Sequence, residues 1–321
     1  MNRRALVNSC FQYGQQLTLT DADYQGCVND LLHWMAAYDD VEDDWTTTTL
    51  NLYQPITAVI QAKQGGIVCG IEEVLFYLGK YSEIAVQHHV KDGSAVEKGT
   101  LLLTLRLPMN RLLSLERIML NVIGRMSGIA TQTQRLVALA KTIPDCPAIA
   151  ATRKTPWMLL DKKAVYCGGG LTHRLQLSHA ILIKDNHLFA LGQQLGKPSA
   201  EAIVQKAVEL AVTVKSLGCV EIEVESVEQA RAALNSYRTA VEKNPDAPTM
   251  IVLLDNFTPS EVTRFIGEVR TDPLYNRVLF EGSGDIREET LPTWATTGVD
   301  VVSLGALTHS TKNFNVSMVM S

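Results

Sequence analysis

Basic side chains cluster between positions 153 and 184 of a chain that is acidic overall. The chain has 29 Lys and Arg against 34 Asp and Glu, which gives a net charge of −5. Arginine binds carboxylates and phosphates in bidentate geometry, and lysine supplies a compact point charge. The pattern therefore indicates a pocket for an acidic small molecule, with ordinary solvated charges as the alternative. Its candidate residues are Arg153, Lys154, His173, Arg174 and Lys184.

Acidic side chains end three of the apolar segments that follow. These are Glu223, Asp255 and Glu281. A carboxylate near a buried strand end is costly unless it meets a cation or a polyhydroxyl group. Magnesium, held by one or two carboxylates and by substrate phosphates, fits this inventory. Structural ion pairs with the basic group are the alternative.

Two turns of small residues come after the last two apolar segments. They are "EGSGDI" (281–286) and "SLGALTHS" (303–310). Barrel enzymes often bind a terminal phosphate in such turns through backbone N–H groups. The alternative is an ordinary glycine turn, and Asp285 is unfavourable in an anion-binding loop unless it caps a helix.

The stretch "CGGGLTHRLQLSHAILIKDNH" (167–187) contains three glycines and three histidines but matches no nucleotide-binding loop. It has neither the Walker spacing nor G-x-G-x-x-G after a strand. His173, His179 and His187 are not spaced like paired ligands on one helix, which disfavours a metal site. The six cysteines form no C-x-x-C pair, so a disulfide framework or a structural zinc is disfavoured.

Composition excludes further classes of function. No polybasic run suggests binding to nucleic acid or to a membrane surface. The N-terminal residues make a poor secretory signal, and no apolar stretch is long enough to cross a bilayer. We therefore expect a globular, cytoplasmic protein without a nucleic-acid or membrane partner.

The elements that must position these residues alternate regularly after about residue 130. Short β-branched runs predict strands over 147–153, 180–185, 220–225, 250–256, 277–284 and 300–305. Helical patterns lie between them over 199–218, 226–244, 258–270 and 286–298, with Ser199, Ser226 and Thr258 as helix-start signals. The alternation fits an α/β barrel or an open doubly wound sheet. Because the candidate residues follow the strands, an α/β barrel, incomplete or open, is favoured, with the site at its carboxyl end.

The first part of the chain has a different pattern. An acidic, helix-like region over 20–50 precedes strand-like patterns with glycine turns over 57–79 and 88–108, and a long helix is predicted over 113–141. We predict an α+β N-terminal lobe over 1–115, an α/β barrel over 116–310 and a C-terminal tail over 311–321 that packs back on the lobe.

Several ordered blocks resemble one enzyme family. The blocks "ERIMLNVIGRMSGIAT", "ATRKTP", "GGGLTHRLQLSHAILIKDNH", "EIEVES", "LLDN", "EGSG" and "GVDVVSLGALTHS" are similar to the signature segments of nicotinate-nucleotide pyrophosphorylase, or quinolinate phosphoribosyltransferase. In the leading part, "EDDWTTTT", "QAKQGGIVCGIEEV" and "DGSAVEKGTLLLTL" resemble further family segments. One block alone is weak, but their shared order is specific.

The resemblance implies transfer of phosphoribosyl from phosphoribosyl pyrophosphate to quinolinate with loss of CO2, giving nicotinate mononucleotide for NAD biosynthesis. It implies Mg²⁺ and a homodimer, or a higher oligomer, in which the N-terminal lobe of one subunit covers the site of the other. The residues that it implies for quinolinate binding are Arg117 from the neighbouring subunit, Arg153, Lys154, His173, Arg174 and Lys184.

The resemblance also implies roles for the acidic residues and the small-residue turns. Glu223 and Asp255 would contact magnesium and the ribose hydroxyls, and with Lys154 they form the predicted catalytic set. The predicted phosphate-binding residues are Ser283, Gly284, Gly305 and His309. Asp185, Asn186 and His187 belong to a family segment but receive no role.

The chain departs from the family pattern at several positions. Residues 157–159 are Trp-Met-Leu where the family commonly has Gly-Leu-Arg, so an often-present arginine is missing. His179 replaces a usual aspartate, and Asp285 replaces a small residue. The alternatives to quinolinate transfer are a paralogue associated with molybdenum uptake, whose substrate is unknown, a Schiff-base aldolase using Lys184, and a non-catalytic phosphate-binding protein.

Overall fold

The computed structural model describes residues 2–214, 218–284 and 286–320. Asp285 and residues 215–217 of the helical pattern predicted over 199–218 lie outside the described residues. The chain forms two compact units. The parallel-sheet unit comprises Met1–Tyr13, Ala138–Thr152 and Leu171–Leu304. The antiparallel-sheet unit comprises Gly14–Val137, Arg153–Gly170 and Gly305–Ser321.

The strands and helices are numbered along the chain. The strands are β1 (Pro55–Ala62), β2 (Gly66–Ile67), β3 (Ala85–His88), β4 (Ala95–Val96), β5 (Leu101–Pro108), β6 (Ala148–Ala151), β7 (Ile181–Ile183), β8 (Cys219–Val224), β9 (Thr249–Asp255), β10 (Val278–Ser283), β11 (Val301–Leu304) and β12 (Val316–Met320). The α-helices are α1 (Arg3–Phe11), α2 (Ala22–Tyr38), α3 (Trp45–Thr49), α4 (Ile71–Leu78), α5 (Met109–Thr142), α6 (Met158–Cys167), α7 (Asp185–Gln194), α8 (Ala200–Ala211), α9 (Val227–Lys243), α10 (Pro259–Val269), α11 (Leu291–Ala295) and α12 (Ala306–His309).

The parallel-sheet unit contains a six-stranded sheet in the order β6-β11-β10-β9-β8-β7. The paired strands of this sheet run parallel. The chain-consecutive strands β6 and β7 form the two edges, which is the strand order of an α/β barrel left open between them. The predicted α/β class with a parallel sheet is confirmed, and the predicted strands agree with the observed ones to within a few residues.

Helix α1 belongs to the parallel-sheet unit. From the sequence we predicted instead that residues 1–115 form one N-terminal lobe. Leu6, Val7, Cys10 and Phe11 of this helix join a buried core with residues of the sheet. The sheet residues of that core include Cys219, Ile251, Leu279 and Val301. A short amphipathic helix at the chain start shows no local signal for its partner, so only packing decides its place.

Helix caps in the parallel-sheet unit follow the sequence signals. The side chain of Ser199 accepts a hydrogen bond from the backbone N–H of Ala202, and Ser226 accepts one from Gln229. Thr258 and Glu261 form a capping box at the start of α10. These caps satisfy N–H groups that the helix leaves unpaired. Helix α7, which follows β7 directly, was not predicted.

The antiparallel-sheet unit is built on a four-stranded sheet in the order β12-β1-β5-β3. The C-terminal strand β12 pairs with β1, from Ala58 opposite Met320 to Ala62 opposite Val316. Helix α5 spans 34 residues and buries one face that includes Ile118, Val122, Met126 and Ile129. No helix in the described part of the chain has the length and apolar character needed to cross a membrane.

One strand prediction in this unit is wrong. The pattern over 57–79 continues into Ile71–Leu78, which forms helix α4 rather than a strand. Gly70 precedes this helix with a φ of 101°, a backbone conformation that favours glycine. The buried residues Ile71, Val74 and Leu78 recur at three- and four-residue intervals, so helical periodicity was present in the sequence.

Candidate active site

Side chains at the carboxyl ends of β7 to β10 form the first part of the candidate site. Lys184 follows β7, and its Nζ lies 3.2 Å from Oε2 of Glu223 on β8. Asp255 ends β9 and is paired in register with Ser283 at the end of β10. Burial raises the pKa of Glu223, Lys184 lowers it, and the charge of Asp255 raises it further. The structure thus brings together Lys184, Glu223 and Asp255, as the strand-end argument predicted.

The turn after β10 requires a glycine. Gly284 has a φ of 101°, and a Cβ added there would lie 2.6 Å from Oδ1 of Asn256. The backbone N–H of Asn256 donates to the carbonyl oxygen of Ser283 at 3.2 Å. The turns that follow β9 and β10 are therefore in direct contact, which places the backbone of Ser283 and Gly284 beside Asp255.

Beneath these strand ends lies a buried group formed by His173, Glu221 and Glu281. Nε2 of His173 lies 2.7 Å from Oε2 of Glu221. All three side chains are buried, and their possible ligand atoms lie within 4.8 Å of one another. Glu221 precedes Glu223 by two residues on β8, so both point to the same face of the sheet. We call these three residues the histidine–glutamate group.

Burial and mutual repulsion control ionisation in the histidine–glutamate group. Burial raises the pKa of Glu221 to about 7, although the positive charge of Arg174 lowers it. Burial and the charge of Glu221 raise the pKa of Glu281 to about 8. Two carboxyl groups this close share protons, so the pair holds at least one proton at neutral pH.

Helix α1 supports the histidine of this group. The backbone N–H of His173 donates to the carbonyl oxygen of Phe11 at 2.8 Å, and the two rings lie 5.3 Å apart. The backbone N–H of Tyr13 donates to Oγ1 of Thr172 at 2.9 Å. His173 has a φ of 54°, which is uncommon for a residue with a side chain. The N-terminal segment therefore holds the backbone that carries His173 and Arg174.

Arg174 is also buried within the parallel-sheet unit. Its side chain donates to the carbonyl oxygen of Ala180 at 3.1 Å. Arg174 is 5% exposed and His173 is 6% exposed, whereas Arg153 and Lys154 are exposed. The basic residues predicted for one pocket therefore differ in accessibility.

In the antiparallel-sheet unit, Lys154, Gly305 and His309 are close together. A Cβ added to Gly305 would lie 3.0 Å from the His309 ring and 3.1 Å from Cδ of Lys154. Oγ1 of Thr308 donates to the backbone carbonyl oxygen of Lys154 at 2.7 Å. A side chain at position 305 would require the imidazole or the lysine chain to shift by a few tenths of an ångström, because both fill the adjacent space.

Arg125, which the sequence argument missed, organises the segment after Lys154. Its guanidinium donates to both carboxylate oxygens of buried Asp161 at 2.8 Å and to the carbonyl oxygen of Thr308 at 3.0 Å. It also lies 5.3 Å from the ring centre of Trp157. Trp157, at the position where the chain departs from the family pattern, thus makes a cation–π contact with this arginine. Arg125 has no special spacing, so only the structure identifies it.

Arg117 lies on α5 with its side chain 66% exposed. It pairs with the neighbouring Glu116. A pair of adjacent surface residues contributes little to stability. The guanidinium is therefore available to another molecule at the surface of the antiparallel-sheet unit.

A second charged group, in which Lys163 and Glu73 are buried and Glu72 is exposed, lies in the antiparallel-sheet unit. Nζ of Lys163 is 2.5 Å from Glu72, 2.9 Å from Glu73 and 3.6 Å from Asp92. The hydroxyl of Tyr24 donates to Glu73 at 2.6 Å. The carboxylates could hold a metal ion by their spacing, but the lysine ammonium already lies among them. We call Lys163, Glu72, Glu73 and Asp92 the lysine–carboxylate group.

Glu223 and Asp255 remain the residues that best fit magnesium. They offer oxygen ligands, which magnesium prefers, and each side chain is only partly buried. Asp255 is close enough for its charge to raise the pKa of Glu223. A divalent cation would relieve that repulsion, so the donor set fits the ion.

Comparisons with known proteins identify the family. The family model described as the quinolinate phosphoribosyl transferase C-terminal domain matches residues 129–319, and that of the N-terminal domain matches residues 44–127. The chain is 36% identical over 265 residues to the probable nicotinate-nucleotide pyrophosphorylase (carboxylating) of Methanocaldococcus jannaschii, covering 81% of this chain and 85% of that protein. The chain belongs to the quinolinate phosphoribosyltransferase family.

Further relatives support the assignment to this family. The chain is 34% identical over 280 residues to the probable nicotinate-nucleotide pyrophosphorylase (carboxylating) of Bacillus subtilis, covering 86% of this chain and 87% of that protein. The structure of the nicotinate-nucleotide pyrophosphorylase from Francisella tularensis matches with a TM-score of 0.75 at 28% identity, covering 92% of this chain and 96% of that one. The predicted resemblance, fold class and enzyme class are confirmed.

Proposed function

We propose that this phosphoribosyltransferase transfers the phosphoribosyl group from phosphoribosyl pyrophosphate to quinolinate, releasing pyrophosphate and CO2 and forming nicotinate mononucleotide. The observation that carries the proposal is the grouping of Lys184, Glu223 and Asp255 at the carboxyl ends of neighbouring parallel strands. This edge is where α/β barrels place their active sites. It combines a cation for an acidic acceptor with carboxylates for a sugar phosphate.

The chemistry needs positioning and charge rather than a nucleophilic side chain. The bond between ribose C1 and pyrophosphate breaks, and the ring nitrogen of quinolinate forms the new bond to C1. Carboxylates near C1 stabilise the positive charge that develops there. The resulting pyridinium accepts the electron pair of the adjacent carboxylate bond, so CO2 leaves and a proton replaces it on the ring.

The assignments of individual residues extend this proposal. Within the parallel-sheet unit, His173, Arg174 and Lys184 bind quinolinate, Glu223 and Asp255 contact the ribose, and Ser283 and Gly284 bind phosphate. Within the antiparallel-sheet unit, Arg153 and Lys154 bind quinolinate, with Lys154 also acting in catalysis, and Gly305 and His309 bind phosphate. The contact of Gly305 with His309 and Lys154 supports the second set.

Glu223 and Asp255 are the proposed residues for Mg²⁺. When bound, the ion offsets the negative charge that grows on departing pyrophosphate. The two carboxylates hold the ribose edge, while Lys184 pairs with Glu223.

We further propose a homodimer in which Arg117 acts on the partner subunit's site. Large apolar side chains are exposed in the antiparallel-sheet unit, and such side chains are typical of protein interfaces. They include Trp34 at 60%, Tyr38 at 79% and Trp45 at 80% exposure. The exposed guanidinium of Arg117 lies in the same unit. We also propose a cytoplasmic location, because all six cysteines are free thiols.

Incubating the protein with Mg²⁺, quinolinate and phosphoribosyl pyrophosphate tests the reaction. We expect nicotinate mononucleotide and CO2 in equal amounts, with chelation of Mg²⁺ abolishing turnover. Nicotinate serves as the alternative acceptor, and borohydride with a carbonyl substrate tests for a Schiff base. Failure to form product from quinolinate, or product from nicotinate alone, would contradict the proposal.

The Arg153→Ala variant tests the quinolinate assignment. We expect it to lose quinolinate turnover while retaining the fold, because a carboxylate loses its bidentate partner. The KM for phosphoribosyl pyrophosphate should change little. Wild-type turnover in this variant would show that Arg153 does not bind quinolinate.

Subunit mixing tests the shared site. Arg117→Ala and Asp255→Ala homodimers should each be inactive, whereas a mixed dimer regains one site with both residues intact. Random exchange of subunits should restore about one quarter of wild-type activity, since half of the dimers are mixed. No recovery after confirmed exchange would mean that Arg117 does not act across the interface.

A further inference from the structure

The imidazole of His187 makes a hydrogen bond to the backbone at the start of α7. The backbone N–H of Lys184 donates to Nδ1 of His187 at 2.9 Å. In return, the backbone N–H groups of His187 and Leu188 donate to the carbonyl oxygen of Lys184 at 2.9 and 3.0 Å. Both polar groups of the Lys184 backbone are therefore fixed by the first turn of the helix.

The hydrogen bond to His187 compensates for an N-cap residue of α7 that cannot accept a backbone hydrogen bond. Lys184 occupies the N-cap position, where serine, threonine, aspartate or asparagine normally accept a backbone hydrogen bond. A lysine ammonium has no acceptor. His187, three residues later, supplies the reciprocal half of a capping box, a role that glutamate or glutamine usually fills. An accepting Nδ1 requires the neutral ring with its proton on Nε2.

The backbone of Lys184 sets the direction of a side chain that packing does not hold. The Lys184 side chain is 47% exposed, and its Nζ reaches Oε2 of Glu223 at 3.2 Å. A long exposed lysine has many rotamers. A fixed backbone restricts where its ammonium can lie, and the bond to His187 supplies one of those restraints.

We propose that His187 is a positioning residue that aims Lys184 toward Glu223 and the acidic acceptor. Its imidazole acts as a hydrogen-bond acceptor for the backbone and not in proton transfer to the substrate. The inference rests on the proposed function for its kinetic consequence, but the cap itself is a property of the fold.

Three variants separate these roles. His187→Ala removes the acceptor, His187→Gln keeps an acceptor that suits a capping box, and Ser199→Ala removes a comparable cap from α8. We expect His187→Ala to raise the KM for quinolinate by up to about fivefold, which is the factor that the roughly 1 kcal/mol of a lost cap would produce if all of it were felt in binding, with a smaller change in kcat. His187→Gln should restore the wild-type KM, and Ser199→Ala should leave it unchanged.

Amide hydrogen exchange gives a readout that needs no turnover. Exchange at the Lys184 amide should accelerate in His187→Ala and return toward the wild-type rate in His187→Gln. The proposal is overturned if this exchange is unchanged in His187→Ala, or if His187→Gln is as impaired kinetically as His187→Ala. If the wild type fails to turn over quinolinate, the proposed function fails, whereas the exchange experiment still tests the cap.

Discussion

In the antiparallel-sheet unit, buried Glu73 lies 2.9 Å from the ammonium of Lys163, whereas in the parallel-sheet unit buried Glu221 lies 2.7 Å from a ring nitrogen of His173. Burial lowers the pKa of Lys163, but Glu73 and Asp92 raise it above its ordinary value overall. The lysine–carboxylate group therefore contains a permanent cation. The histidine–glutamate group combines a histidine with two carboxyl groups whose pKa values lie near neutrality.

Their positions in the fold also differ. Glu221 lies two residues from Glu223 on the same face of β8, directly below the strand ends that carry the candidate site. Lys163 lies on α6 and joins it to acids on and near α4. Both groups contain carboxyl groups with raised pKa values. Such groups beside a candidate site are typical of function, whereas carboxylates gathered around a buried lysine are typical of structure. We therefore expect the histidine–glutamate group to serve activity and the lysine–carboxylate group to serve stability.

Lys163→Met should have the largest effect on stability. It leaves buried carboxylates without their cation, and breaking a buried pair in this way typically costs about 3–5 kcal/mol. Urea unfolding measures the loss, and kcat/KM of the folded variant should stay within about twofold of wild type. Lys206→Met is the matched control, because Lys206 forms an exposed pair with Glu209 and should change stability by less than about 0.5 kcal/mol. Equal effects of the two changes would refute a structural role.

Glu221→Leu should impair activity strongly and stability only slightly, the opposite of Lys163→Met. The change removes the partner of His173, and misplacing a binding group typically lowers kcat/KM by about 100-fold. It also removes one of two repelling acids, so the free energy of unfolding should remain within about 1 kcal/mol of wild type. Steady-state kinetics and urea unfolding on the same preparation provide the comparison. Unchanged kinetics would show that the histidine–glutamate group does not contribute to activity at the site.

Asp92→Asn should alter the pH dependence of stability. Burial and the charge of Glu73 raise the pKa of Asp92 to about 7, above its ordinary value of 3.8. The unfolded chain loses this proton first, so the stabilising contribution is complete below about pH 4 and is lost as the pH rises through 7. Between pH 5 and 8, the variant should lose roughly 2 kcal/mol less stability than the wild type. If the free energies of unfolding of the variant and the wild type, measured with urea, change in parallel with pH, the raised pKa of Asp92 is contradicted.

Thr172→Val should have the smallest effect. It removes the acceptor for the Tyr13 backbone N–H, which is partly buried, and a donor left unsatisfied there costs about 1 kcal/mol. Because His173 is adjacent, the KM for quinolinate should also rise by about twofold. Thr239→Val provides a control on the exposed surface of α9 and should be close to neutral. If Thr172→Val behaves like its control, the N-terminal segment does not support His173 in this way.

Much of the parallel sheet was accessible from the sequence because its signals are local. β-Branched runs predicted the six strands, and Ser199, Ser226 and Thr258 marked helix starts through hydrogen bonds that span three residues. The grouping of Lys184, Glu223 and Asp255 followed from one topological rule. The family followed from ordered blocks that keep their sequence spacing.

Other features of the fold and the site also have local signals in the sequence. Glu221 and Glu223 are two residues apart on one strand, so their side chains must lie on the same face of the sheet. The sequence therefore indicated where the buried Glu221 lies. His187 stands three residues after Lys184 at a helix start, the spacing of a capping box. The helical repeat of Ile71, Val74 and Leu78 lies next to strand-forming residues. The strand-like pattern was therefore extended over residues that form helix α4.

The sequence by itself determined the order of strands along the chain, the residues that end them and the family to which the chain belongs, because periodicity, capping and motif spacing act over a few residues. Only the tertiary structure decided that Phe11 supports His173, that Glu221 meets Glu281 and that Arg125 holds Asp161. These contacts join residues far apart in the chain. They depend on which faces pack together and on the cost of burying each charge, which no short segment specifies.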